Sequence, residues 1–312
     1  MSRAAIDPPP PTAHAPTGLT DTGKSLPFPQ SLPQLRPAGK TLRKDNWWLQ
    51  PLLVFLGLSA FIVYSTWAAL QGEHYFVKGT NYLSPMYSPV LFDSWKVDPA
   101  TGQQIVSGHS WFGAWPSWLS QGLPFLPLTP AFLILWAPGG FRFTCYYYRG
   151  AYYKSFWADP ISCAVGEPQA RGTNYRGEQK FPLIFQNIHR YFFYIAVLFI
   201  GFLSYDAVIS YFFPAVDGTG KAFGIGVGSI VLTLNPIFLG AYTFGCHVGR
   251  HLIGGKKDAL SELGGQKKLY DCVSCLNRRH MMWAWISLFW VGFTDVYVRL
   301  VSMGIWTDYR IL

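Results

Sequence analysis

Five cysteines and seven histidines carry most of the metal-binding capacity of this 312-residue chain. His247 and His251, in GCHVGRH, stand at i and i+4. On a helix that spacing puts them about 40° apart around the axis and about 6 Å apart along it, so both imidazoles can reach one metal. Cys246 lies about 100° from His247 and faces another wall. Cys145, in RFTCYYYRGAYYKSF, and Cys163, in DPISCAVGEP, can approach from a neighbouring helix and the loop after it. Two thiolates with two imidazoles are the ligands of a Rieske-type 2Fe-2S centre, where histidine on one iron raises the potential. The plainer alternatives are interfacial polarity for the histidine pair and small buried hydrophobes for the two cysteines. Cys272-x2-Cys275-x4-His280 competes as a zinc knuckle, although Trp285 stands where a fourth ligand belongs. Haem b competes too, with His189 and either His251 or His280 as axial ligands. Cys246, Cys272, Cys275 and His280 therefore stand in reserve as metal ligands.

A second constellation is TCYYYRGAYYKSFW. Tyr147, Tyr148, Arg149 and Tyr153, with His189 and Arg190, suit a quinone headgroup: hydroxyls and guanidinium bind the carbonyl oxygens and supply protons on reduction. The same residues read equally as an aromatic belt with a basic flank.

The elements that must position these residues belong in lipid. Half of the residues are hydrophobic and only 13% are charged, against about 25% in a soluble domain. With so apolar a chain, the net charge of +9 reads as membrane topology rather than as nucleic-acid binding. The pattern predicts an all-α integral membrane protein, a bundle of about five transmembrane helices over 50–70, 123–148, 184–212, 223–249 and 281–305. A kink is expected at Pro138-Gly139-Gly140 and a bend at Asn235-Pro236. Residues 1–45, rich in proline, read as a disordered cytoplasmic tail, and 46–312 as the membrane domain. Residues 71–121 read as an ordered external loop between helices one and two. Asp295 and Arg299, one turn apart in the last span, can neutralise each other.

Twenty of the 25 Lys and Arg residues fall before residue 45, between Arg142 and Arg190, or between Arg250 and Arg279. The positive-inside rule then places the N-terminus in the cytoplasm of a multi-pass plasma (inner) membrane protein. All five cysteines and His189, His247, His251 and His280 meet that same leaflet. No dinucleotide fingerprint precedes a helix, since GIGVGS opens a span with no strand before it.

FRFTCYYYRGAYYKSFW, CAVGEP, FPLIFQNIHRYFFY, the C-H-x-x-x-H helix end and LNRRHMMWAWISL together resemble the single-chain membrane anchor of actinobacterial-type, or type F, succinate dehydrogenases, a class of respiratory complex II. The resemblance implies an anchor beneath a flavoprotein subunit and an iron-sulfur subunit. Electrons would pass from the iron-sulfur subunit through a membrane-embedded Rieske-type 2Fe-2S cluster to quinone, with succinate oxidised elsewhere. Carried onto this chain, it implies His247 and His251 with Cys145 and Cys163 as ligands and Cys246 as the first replacement; the CVSC pair departs from the family pattern. The alternatives are a haem b anchor of a related dehydrogenase and a non-redox transporter or scaffold, with Asn235-Pro236 and Asp295-Arg299 marking a solute path.

Overall fold

The computed structural model describes residues 45–94, 106–122, 129–157, 183–214, 220–255, 257 and 259–312. The expected tail, up to residue 44, and Cys163 lie outside the described residues. In chain order the helices are α1 (Leu49–Gln71), α2 (Ser117–Gly122), α3 (Pro130–Thr144), α4 (Tyr146–Phe156), α5 (His189–Ile209), α6 (Val227–Phe244), α7 (His247–Gly254), α8 (Lys267–Arg278) and α9 (His280–Ser302). A short antiparallel pair, β1 (Phe212–Pro214) and β2 (Lys221–Phe223), joins α5 to α6.

Helices α1, α5, α6 and α9 are long and apolar enough to cross a membrane. On α1, Leu53, Leu56, Ile62 and Val63 are exposed, a surface suited to lipid rather than water. The helix ends at Gly72, whose φ of 63° is left-handed, a conformation that favours glycine. There the Tyr87 hydroxyl accepts from the Gly72 amide at 3.0 Å and donates to the Ala68 carbonyl at 2.8 Å. Backbone groups orphaned by the helix end are thereby satisfied.

Contacts at the ends give the path of the chain. The end of α1 meets the start of α3, where the Thr129 hydroxyl donates to the Ala69 carbonyl. The end of α3 meets the start of α5 through Thr144 and His189. Ser229, early in α6, donates to Ser210 beyond α5, and Cys246, beyond α6, returns to His189. Tyr64 donates to Asp295 at 2.5 Å, so α1 and α9 finish together. These helices thus run alternately between two ends of the bundle, here termed the cap end and the site end.

The segment after α1 is ordered by burial at the cap end. Tyr75, Phe76, Leu83, Met86, Tyr87 and Val90 form a core with Ala68, Ala69 and Ala131, and the rings of Tyr75 and Tyr87 stack at 4.4 Å. The predicted Asp295–Arg299 pair is present and buried at 3.3 Å. Arg299 also donates to the carbonyls of Glu73 and Ala68, while Asp295 accepts from Tyr64 and Ser84. The pair therefore staples the cap to the bundle, and burial with full hydrogen bonding is what makes such a pair tolerable in an apolar core.

Two predicted spans end sooner than their hydropathy suggests. The second, expected to run through Tyr148, stops at Thr144, because Cys145 is extended (φ −64°, ψ 132°) and α4 starts afresh. Within α3, residues 138–140 remain helical. The fourth, expected to reach Gly249, stops at Phe244, because Cys246 is extended (φ −68°, ψ 151°) and α7 starts afresh. Asn277 caps that break by donating to the Gly245 carbonyl at 2.8 Å. Hydropathy continues across both breaks, which is why periodicity alone passes over them.

Candidate functional site

Both breaks deliver a cysteine to the buried site end. Cys145 and Cys246 are each 2% exposed and share one core cluster with Phe141, Tyr148, Phe193, Tyr242 and Ala284. Each is the N-cap of the short helix that follows, so each sulfur lies at the positive end of a helix. At Cys246, burial and then the neighbouring Cys145 push the thiol up to about 12. A thiolate here needs added positive charge beside it.

Each sulfur faces one imidazole. His189 Nε2 stands 3.1 Å from Cys246 Sγ, and His280 Nε2 stands 3.6 Å from Cys145 Sγ. The rings are held flat: His189 stacks on Phe141 at 4.7 Å, and His280 on Tyr242 at 5.0 Å. Thr144 Oγ1 lies 2.8 Å from both His189 Nδ1 and the Gly140 carbonyl. Its hydroxyl can therefore donate to the carbonyl while accepting from Nδ1–H, which leaves the Nε2 lone pair directed at the thiol. His280 Nδ1 is buried without a partner among the described residues. Among those residues no three His, Cys, Asp or Glu side chains converge as ligands of a single ion. The arrangement is instead two Cys–His pairs that meet in one core.

The sequence-predicted ligands are thus regrouped. Cys145 is in the cluster, and the reserve residues Cys246 and His280 join it. His189, predicted for quinone, joins it as well. His247 and His251 do share a face of α7, with ring centroids 6.5 Å apart, but both are exposed and neither pairs with a described cysteine. The physical reason is the break at Cys246, which starts a new helix instead of extending α6. Cys272 and Cys275 are exposed on α8, and His280 is turned from them toward Cys145, so the described side chains do not assemble the zinc knuckle. The signal missed in the sequence was that HRY and RRHMMW each open a span with a histidine, the two opening residues that end up beside the breaks.

The predicted quinone residues divide. Tyr148 is buried and committed: its hydroxyl donates to the Ala284 carbonyl at 2.6 Å and accepts from Arg142 at 2.8 Å. Tyr147 accepts from Trp285 Nε1 at 2.7 Å. Arg149 lies over the rings of Tyr146 and Tyr153 at 5.0 and 5.9 Å, with one terminal nitrogen, Nη1, buried and unpartnered among the described residues. Arg190 is exposed.

Comparison with known proteins agrees with this arrangement of helices. The family model described as actinobacterial succinate dehydrogenase subunit SdhC matches residues 49–304. A solved chain of the Mycobacterium smegmatis Sdh1 complex in the apo form is 40% identical, with a TM-score of 0.72; the match covers 92% of this chain and 98% of that one. No curated protein matches.

Proposed function

The chain belongs to the family of actinobacterial succinate dehydrogenase SdhC subunits, and from that membership we propose that it holds a Rieske-type 2Fe-2S cluster and uses it to reduce quinone. As a family member it is a membrane subunit of a succinate dehydrogenase complex and assembles with the other subunits of that complex. The single observation that carries the cluster reading is the meeting of two buried thiols and two buried-facing imidazole nitrogens, Cys145, Cys246, His189 and His280, in one core.

The donor set fits the group. Two sulfurs and two nitrogens are what a Rieske-type cluster requires, and a binuclear centre spreads its ligands over two irons rather than around one point. When bound, such a cluster takes up and releases one electron at a time, at a potential raised by imidazole ligation. The chain's own groups do the rest. Thr144 fixes the His189 tautomer, and Phe141 and Tyr242 clamp the two rings. Haem is the weaker reading because both Nε2 atoms, whose in-plane lone pairs would bind its iron, point at buried thiols.

Quinone binds beside Arg149, whose unpartnered Nη1 supplies a donor for a carbonyl oxygen and whose guanidinium lies over the Tyr153 ring. The charge distribution supports a multi-pass plasma membrane protein with the N-terminus and site end cytoplasmic, facing the iron-sulfur and flavoprotein subunits. α3 supplies the fifth crossing.

The test is iron content and the reduced-state electron paramagnetic resonance signal of the intact complex. His189→Ala and His280→Ala should each abolish the signal and quinone reduction, while succinate oxidation by a soluble dye persists. The double variant His247→Ala, His251→Ala should keep the signal. Loss of signal in that double variant, with retention in the other two, would return the ligand role to the α7 pair.

A further inference from the structure

Arg142 is a cation fixed inside the bundle, one turn before Cys145. Its Nη1 donates to the Tyr148 hydroxyl at 2.8 Å and the Ala284 carbonyl at 3.2 Å, and its Nη2 donates to Ser287 Oγ at 3.0 Å. The guanidinium carbon stands 4.7 Å from the centre of the Tyr242 ring, the ring that stacks on His280, and 5.6 Å from that of Tyr148. Ala284, which accepts from it, lies one helical turn after His280. Arg142 is thus bracketed by two of the proposed ligands. Among the described residues no carboxylate pairs with it: Asp295 is taken by Arg299, and Asp206 bonds Ser88, both at the cap end.

Arg142 is half-buried, and a cation partly withdrawn from water without a counter-charge is costly unless it compensates a charge. Anchoring three elements needs only hydrogen bonds, which a neutral side chain can also make. From this placement we propose that Arg142 is a positioning residue whose fixed charge sets the reduction potential of the cluster, an inference that rests on the cluster reading above. Reduction adds one electron to the site; Arg142 gains and loses no proton, and its positive charge favours the state that carries the extra electron. The buried Tyr242 ring lies between the guanidinium and His280, so the field on that side is screened less than at a protein surface.

The experiment is a redox titration of the paramagnetic signal in the purified intact complex, comparing wild type with Arg142→Gln and Arg142→Lys. In Arg142→Gln the reduced-to-oxidised ratio at a given ambient potential should fall about tenfold, about 59 mV for a one-electron couple. Arg142→Lys keeps the charge and should titrate close to wild type. A wild-type midpoint in Arg142→Gln would make Arg142 a structural clamp only. If Arg142→Gln fails to assemble, Ser287→Asp, which sets a carboxylate beside the guanidinium, decides: a lowered midpoint upholds the charge role, and a wild-type midpoint overturns it. A wild-type complex without iron in this subunit would instead refute the cluster reading, a separate failure seen before any variant is made.

Discussion

Chemistry at the residue scale depends on which atoms lie 3 to 4 Å apart, and two positions carry the sharpest expectations. Cys145→Ala and Cys246→Ala each remove one sulfur from a core that holds two thiols, and each should lower the iron content of the subunit and erase the reduced-state signal. Cys272→Ala with Cys275→Ala, on the exposed face of α8, should leave both unchanged. Metal analysis of the assembled complex distinguishes these outcomes. At the cap end, Asp295→Asn leaves Arg299 buried with carbonyls but no counter-charge, a change of the kind that costs about 3–5 kcal/mol. Thermal unfolding of the detergent-solubilised complex should start at a lower temperature in that variant. An unaltered transition would mean that Ser84, Tyr64 and the carbonyls alone hold the cap. The Asp295–Arg299 pair was legible in the sequence because i,i+4 spacing is local. The Cys–His pairs join residues 57 and 135 positions apart, and no local pattern relates them.

At the scale of elements, the decisive feature is that two apolar segments are each cut by an extended cysteine. The spans were legible because hydropathy over about 20 residues is a strong signal. The cuts were not, since the residues on both sides remain helix formers and the turn is made by docking: α4 through Tyr148 onto α9, and the second break through its Gly245 carbonyl onto Asn277 of α8. Treating 223–249 as one helix carried His247 and His251 inward with it. Close approach of α3 and α5 makes a further test. A Cβ at Gly140 would strike the Phe192 ring, so α5 packs against bare backbone there. Gly140→Val should therefore separate the helices that hold Thr144 and His189, destabilising the fold by about 1–3 kcal/mol and lowering cluster occupancy. Gly139→Val, where a Cβ meets open space, is the matched control. Equal thermal stability and iron content in the two variants would contradict this packing role.

For the whole molecule, basic residues gather at the site end, the end at which the other subunits of the complex are expected to dock. Topology can be read directly by thiol labelling of right-side-out cells. Trp118, 72% exposed near the cap end, should be labelled from outside when replaced by cysteine in a background lacking the native exposed pair. Cys272 should react only after the membrane is opened and the soluble subunits are removed. Labelling of position 118 from the cytoplasmic side alone would invert the orientation.

By itself, the sequence determined that this is a helical membrane protein, where its four helices of membrane-crossing length lie, where the charge collects, and to which family the motifs point. These follow from composition, from period and from short motifs, all of which act over tens of residues or fewer. Tertiary structure alone decided which thiol meets which imidazole, because that depends on where two helices stop and restart. A rotation of one helix about its axis costs little in hydropathy, yet it separates a ligand facing the core from one facing outward. In the described core Cys145 meets His280 and Cys246 meets His189, the first residues of α9 and α5, while His247 and His251 stay exposed on α7.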